Sequence, residues 1–180
     1  MGDAPQMAET LAARPALLDA VLEPGFDGPA PRGPAAAAAL DAALKDARGY
    51  EERLDIARRW AAERGFQAAM RLLSGACDAD EAAAGLSDVA EATIDRLKRE
   101  SEDAFAERHG RPPAAGAVIV ALGKLGGRSL AFGSDLDLIY LYDAPYGPTT
   151  ESDGARPLAP GVWFNRAAQR LLAALSAKPA

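Results

Sequence analysis

At Arg111-Pro112-Pro113 the hydrophobic pattern of this 180-residue chain changes its period, and that change limits the folds open to it. Upstream, apolar residues recur every three or four positions, the spacing of one helix face. Downstream, Ala117-Val118-Ile119-Val120-Ala121-Leu122 is a continuous apolar run with β-branched residues and a glycine on either side, which predicts a buried strand. Helices first and strands later predict an α+β fold. Nearly a quarter of the residues are alanine, which favours helix, and only 6% are aromatic, so the cores are expected to be built from Leu, Ala, Ile and Val. The predicted organisation is a helix and Pro/Gly-rich linker over 1–33, a helical region over 34–111, and a second unit over 112–180.

In the first part, Pro15 suits the first position of a helix over 15–22, with Leu17, Leu18, Val21 and Leu22 on its apolar side. Residues 24–34 hold three glycines and four prolines and read as a loop. Residues 35–47 have helical spacing. Over 50–73, Leu54, Ala57, Trp60 and Ala61, then Phe66, Met70 and Leu73, predict a long helix with Gly75 as its C-terminal cap. Asp78 with Glu81 three later has capping-box spacing, and Ser87 is expected to start a further helix to Arg108. Val89, Ile94, Leu97 and Phe105 form its apolar face, and Gly110 ends it. This half reads as a helical bundle with solvated charged faces.

Charge excludes some functions. The net charge is −6, which argues against a protein that coats nucleic acid. Residues 1–115 carry 14 Lys/Arg against 21 Asp/Glu, whereas 116–180 carry 6 against 5, so the near-neutral part is the one that holds the Gly-rich and Asp-rich segment. No apolar stretch is long enough to span a bilayer, and Met1 to Thr10 lacks the basic start and apolar core of a signal peptide. With one cysteine, Cys77, there is no disulfide framework. These features predict a cytoplasmic protein without a membrane partner. His109 beside Gly110 is expected at a helix end facing the dipole. Trp60, Trp163, Tyr140 and Tyr142 are expected to pack.

The chemistry is concentrated after the apolar run. Gly123-Lys124-Leu125-Gly126-Gly127-Arg128 places three glycines in five residues, a tight turn whose backbone can approach a ligand. Residues 129–132 read as a short helical turn. Ser134-Asp135-Leu136-Asp137-Leu138-Ile139-Tyr140-Leu141-Tyr142 then predicts a second strand on which Asp135 and Asp137 project together, since alternate residues share a face. Two carboxylates on one face repel each other, and a divalent cation between them removes the repulsion. Oxygen-only ligands suit Mg²⁺, which is commonly shared with substrate phosphates. The glycine turn supplies N–H groups for those phosphates, and Lys124 or Arg128 can neutralise further charge. Together these parts describe metal-assisted phosphoryl or nucleotidyl transfer. Residues 143–160 read as a loop and 163–177 as a helix with Leu171, Leu172 and Leu175 inward.

Gly123-Lys124, followed after ten residues by Asp135-Leu136-Asp137-Leu138, resembles the signature of the polymerase-β-like nucleotidyltransferase superfamily. Lys124 stands where most of that superfamily has Gly or Ser and agrees with one branch. Residues 121–128 with 133–139 resemble the glutamine synthetase adenylyltransferases, which carry both adenylyl-transferring and adenylyl-removing modules. Leu11-Ala12-Ala13-Arg14-Pro15 with Leu17-Leu18-Asp19, and Ser152-Asp153-Gly154 with Arg156-Pro157-Leu158 and then Gln169-Arg170-Leu171, extend the likeness; Ser134-Asp135-Leu136-Asp137-Leu138 with Ser152-Asp153-Gly154 and Arg156-Pro157-Leu158 more closely resembles the C-terminal, adenylylating module.

The resemblance implies a partial polymerase-β-like fold over 112–180, two strands of a small sheet flanked by helices. It implies transfer of AMP from ATP to a tyrosine of glutamine synthetase, regulating nitrogen assimilation, with a PII regulatory protein as a further partner. Asp135 and Asp137 would be catalytic and would hold Mg²⁺; Gly123, Lys124, Gly126, Gly127 and Ser134 would bind the nucleotide. The superfamily's third carboxylate lies on a later strand than any present, so the chain reads as a fragment whose isolated form is expected to be inactive. The phosphorolytic, adenylyl-removing module, another member of the superfamily acting on a small molecule or nucleic acid, and a non-catalytic helical interaction fragment are the alternatives.

Overall fold

The computed structural model describes residues 28–145 and 150–177, together with Met7, Glu9, Leu11, Ala12, Pro15, Leu17 and Phe26. Of the helix expected over 15–22, Leu17 is described, helical and buried, while Leu18, Val21 and Leu22 lie outside the described residues. The described elements run α1 (Pro34–Ala43), α2 (Tyr50–Leu73), α3 (Ala79–His109), β1 (Gly116–Ala121), α4 (Gly123–Gly126), β2 (Leu138–Asp143) and α5 (Pro160–Ser176). The fold is α+β, as the change of period predicts.

Local chemistry sets the helix ends. Pro34 occupies the first turn of α1, where a missing N–H costs nothing. Glu51 and Glu52 face the positive end of α2 and Arg71 its negative end. The α2 terminus is a Schellman motif: Gly75 N–H donates to the Leu72 carbonyl at 3.1 Å and Ala76 N–H to the Arg71 carbonyl at 2.9 Å. Asp78 then caps α3 by accepting from the Glu81 N–H at 2.8 Å.

Helix α3 does not break at Ser87. It runs unbroken for 31 residues, because the buried Ser87 hydroxyl donates to the Ala83 carbonyl one turn back at 2.8 Å and needs no cap role. Leu86, Val89, Ile94, Leu97 and Phe105 on α3 are buried. Val89 and Leu97 share a cluster with Leu40 of α1, Leu54, Ala57 and Trp60 of α2, and Leu171 and Ala174 of α5. The partly buried pair Arg53–Glu100 at 2.8 Å ties α2 to α3, and Arg58 Nε donates to the Ala174 carbonyl at 2.7 Å, tying α2 to α5.

β1 and β2 pair antiparallel, with Ile119 opposite Tyr140 and Ala121 opposite Leu138. The inner face, Ala117, Ile119, Ala121, Leu138 and Tyr140, is half-buried over helices α3 and α5. Tyr140 Oη donates to Glu102 of α3 at 2.9 Å. Burial and that hydrogen bond push its phenol well above the usual tyrosine range.

The expectation of a buried strand is corrected here. Val118 is 61% exposed and Leu141 50%, with Val120 and Ile139 beside them in cross-strand pairs. A continuous apolar run does not reveal how many faces are covered; helices cover one. Leu172 is likewise exposed, at 65%, because it points about 100° around α5 from Leu171. Both tryptophans are core residues, and Tyr142 stacks on Phe164 with centroids 4.7 Å apart.

The loop at 150–159 is fastened to the end of α3. Gly154 N–H donates to the His109 carbonyl at 3.1 Å, Arg156 N–H to the Arg108 carbonyl at 3.2 Å, and Arg111 N–H to Asp153 Oδ1 at 2.9 Å. The His109 ring lies on Phe105, and its Nδ1 donates to the Arg156 carbonyl at 2.7 Å.

Leu97 is 1% exposed where α1, α2, α3 and α5 meet. Leu97→Ala is expected to cost about 2–5 kcal/mol, read as a lower urea midpoint for the 180-residue chain.

Candidate active site

The end of β1 and the entry to β2 are held together beyond the paired strands: Leu122 N–H donates to the Asp137 carbonyl at 2.8 Å. Asp135 and Asp137 stand in the lead into β2, just ahead of its first residue, Leu138, and not within the strand as the sequence spacing predicts. Both are exposed. Asp137 alternates with Ile139 and Leu141, so it belongs to the open face of the sheet.

The glycine segment connecting the strands is itself a helical turn, α4, while 129–132 is not helical. Two close approaches explain its glycines. Gly123 has φ +54°, and a Cβ there would lie 2.4 Å from Asp137 Oδ2. A Cβ on Gly126 would lie 2.5 Å from the Ala121 carbonyl oxygen. A side chain at either position collides with something the fold has already placed. The result is a carboxylate seated against the bare α-carbon of Gly123.

Lys124 leaves the same turn and its Nζ reaches Ser134 Oγ at 3.4 Å. Ser134 is fixed in turn by its N–H donating to the Ala131 carbonyl at 3.0 Å and by its hydroxyl accepting from the Ala131 N–H at 3.3 Å. Gly123, Lys124, Ser134 and Asp137 are thus brought together, with Asp135 on the same short segment. Gly126 and Gly127 are placed differently. Their N–H groups donate to the Leu122 and Gly123 carbonyls, each at 3.0 Å, and so close the turn itself.

Arg128 does not join the carboxylate pair. Its guanidinium donates to Asp88 and, at 2.8 Å, to Glu91, both on α3. Asp88 is buried, and its other oxygen accepts from Arg32 Nε. Burial pushes the Asp88 carboxyl up, but hydrogen bonds from Arg32, Arg128 and the Gly33 backbone outweigh it and hold the group below its usual range. Nothing in the local pattern pairs residues forty positions apart, and sequence reasoning missed this ion cluster.

Hard carboxylate oxygens suit Mg²⁺ in type, and exposure leaves them accessible. Among the described residues no group of three or more His, Cys, Asp or Glu is gathered as a metal would require for an all-protein cage. No described helix is long and apolar enough to cross a membrane.

The family model for glutamate-ammonia ligase adenylyltransferase matches residues 1–180. The chain belongs to that family. It is 42% identical over 173 residues, 96% of its length, to the bifunctional glutamine synthetase adenylyltransferase/adenylyl-removing enzyme of Xanthobacter autotrophicus. It is similar over its whole length to the proteins of the same description from Mesorhizobium japonicum, at 39%, and Rhizobium meliloti, at 42%. In each comparison the chain spans 18% of the relative's own length.

Gly126→Ala is expected to cost about 1–3 kcal/mol by overpacking against Ala121, seen as a fall in the urea midpoint. Gly116→Ala, with nothing within 4 Å of the added methyl, is expected to leave that midpoint near the parent value.

Proposed function

We propose that this segment carries part of an adenylyl-transferring site, which in the longer enzyme moves AMP from ATP to a tyrosine of glutamine synthetase. The observation that supports it best is the seating of Asp137 against Gly123 with Lys124 on Ser134, in a chain of this family. In this reading Asp135 and Asp137 would hold Mg²⁺, which supplies charge neutralisation at the phosphates. Gly123 leaves room for the Asp137 carboxylate to seat against the turn, Lys124 offsets charge on the departing pyrophosphate, and Ser134 holds Lys124 in place. The tyrosine oxygen attacks the α-phosphorus; the bond from that phosphorus to the oxygen bridging to the β-phosphate breaks, and pyrophosphate leaves. The phenolic proton passes to the third carboxylate that the resemblance puts on a later strand. The transferring rather than the adenylyl-removing module is preferred because Ser152-Asp153-Gly154 and Arg156-Pro157-Leu158 resemble the stretch that follows the Asp pair in the former. A cytoplasmic location and control by a PII protein belong to the same proposal.

Asp137→Asn tests the assignment. A neutral amide is a poorer Mg²⁺ ligand, and metal assistance is worth several kcal/mol. In the longer enzyme the variant is expected to keep its thermal midpoint and lose about a hundredfold or more in transfer of labelled AMP to glutamine synthetase. Near-normal labelling would show that the site is elsewhere.

The 180-residue chain alone is expected to label no glutamine synthetase with Mg²⁺ and labelled ATP. Its two carboxylates give too few fixed anionic ligands for a cation that demands near-octahedral geometry, and a misplacement of about 1 Å costs on the order of a hundredfold in rate. Labelling that vanishes in Asp135→Ala would mean that a residue within 1–180 replaces the third carboxylate.

A further inference from the structure

Besides the Lys124–Ser134 and Leu122–Asp137 hydrogen bonds, the turn that carries Gly123 and Lys124 is attached to the rest of the protein at three points. Leu125 is inserted among Ala68, Leu86, Ile94 and Leu130. Gly126 lies on the Ala121 carbonyl. Arg128, at the far end, is bound to α3 through Asp88 and Glu91. The first two contacts set how deep the turn sits, and of the three only the last is a directional link to α3.

Arg128 has φ +53°, a left-handed conformation that a non-glycine residue keeps only where its surroundings hold it. Its backbone N–H donates to the Leu125 carbonyl at 3.0 Å, and the next N–H, that of Ser129, donates to the Lys124 carbonyl at 2.8 Å. A shift of Arg128 is therefore passed directly to Lys124. Glu91 is half-exposed and a weak anchor. Asp88 is 4% exposed in its side chain, sits on the long helix, and has both oxygens engaged, one by Arg128 and one by Arg32. It is a buried carboxylate with no part in the chemistry proposed above.

We propose that Asp88 is a positioning residue for the nucleotide site, acting through Arg128 to fix the turn that seats Gly123 against Asp137 and Lys124 against Ser134. This rests on the reading that the turn receives the phosphates of ATP. Asn at position 88 is the same shape but presents one oxygen and one NH₂, so one of the two arginines must face a donor. In either orientation the link from the turn to α3 loses the carboxylate charge that strengthens it, and a small displacement of Lys124 weakens its hold on ATP.

The test uses the longer enzyme with ATP titrated against glutamine synthetase labelling, and a thermal midpoint for every variant. Asp88→Asn and Arg128→Gln are each expected to raise KM for ATP by about tenfold, with the double variant no worse than either, because they remove one coupled interaction. Arg128→Lys is expected to recover part of the loss. Arg32→Gln, which removes the partner of Asp88 that does not touch the turn, is expected to lower the midpoint but leave KM for ATP unchanged. An unchanged KM in Asp88→Asn and Arg128→Gln, effects that add, or an equal rise in Arg32→Gln would overturn the positioning role. Lys124→Ala and Asp137→Asn separate the two claims. If both retain full transfer, the site reading fails and this proposal falls with it; if both lose it while Asp88→Asn keeps the normal KM, only the positioning role is wrong.

Discussion

Burial of the apolar stripe of α3 is the interaction on which the rest of the structure depends. At 31 residues the helix is about 46 Å long, and it has more apolar surface than any one neighbour can cover. Leu40 and Leu54 meet it through α1 and α2, Leu171 through α5, and Leu125 and Leu130 through the segment between the strands. A two-stranded hairpin is marginal in water by itself. Here Ile119 and Tyr140 rest on the helical layer, and the Tyr140–Glu102 hydrogen bond fixes the sheet's place along α3. The candidate site inherits its geometry from that contact.

The sheet is one-sided, and the site lies where the covered and open faces meet. Leu138 turns toward the helices, while Asp137, Ile139 and Leu141 turn to the open side. That placement leaves the two carboxylates solvated. Two like charges two residues apart in the chain are tolerable in water and costly inside a core. Asp88 is the opposite case. It is buried, and its desolvation is offset by two guanidinium groups and a backbone donor. Asp88 is paired and buried between two arginines, whereas Asp135 and Asp137 are solvated at an open face.

Legibility in the sequence followed the range of the interactions. The bounds of α2 were readable because Leu54, Ala57, Trp60 and Phe66 repeat at the period of the helix and Gly75 terminates it locally. The grouping of Gly123, Lys124, Ser134 and Asp137 was readable because a strand, a glycine turn and a second strand must return on themselves. Ser87 misled because a hydroxyl can cap a helix from outside or bond one turn back from inside, and its residue type is the same in both roles. The open face misled because Val118 and Val120 are as apolar as Ile119. Arg128 was legible as a cation but not as a clamp, since its partner Asp88 is assigned by the crossing of the turn over α3.

The glycines of the turn show how fold and chemistry come to share one constraint. Gly126 is demanded by the fold, because Ala121 must end β1 directly beneath it. Gly123 is demanded by the site, because Asp137 must stand where a Cβ would be. The two positions are three residues apart on one helical turn, so satisfying the first fixes the direction from which the second approaches the carboxylate. The Leu122–Asp137 hydrogen bond closes the same loop from the other side. Strand register thereby becomes site geometry: slipping the pairing by one residue would turn Asp137 toward the helices and bring Leu138 to the open face. The apolar residues Ile119, Ala121 and Leu138, by requiring the helical side, hold the carboxylate on the other.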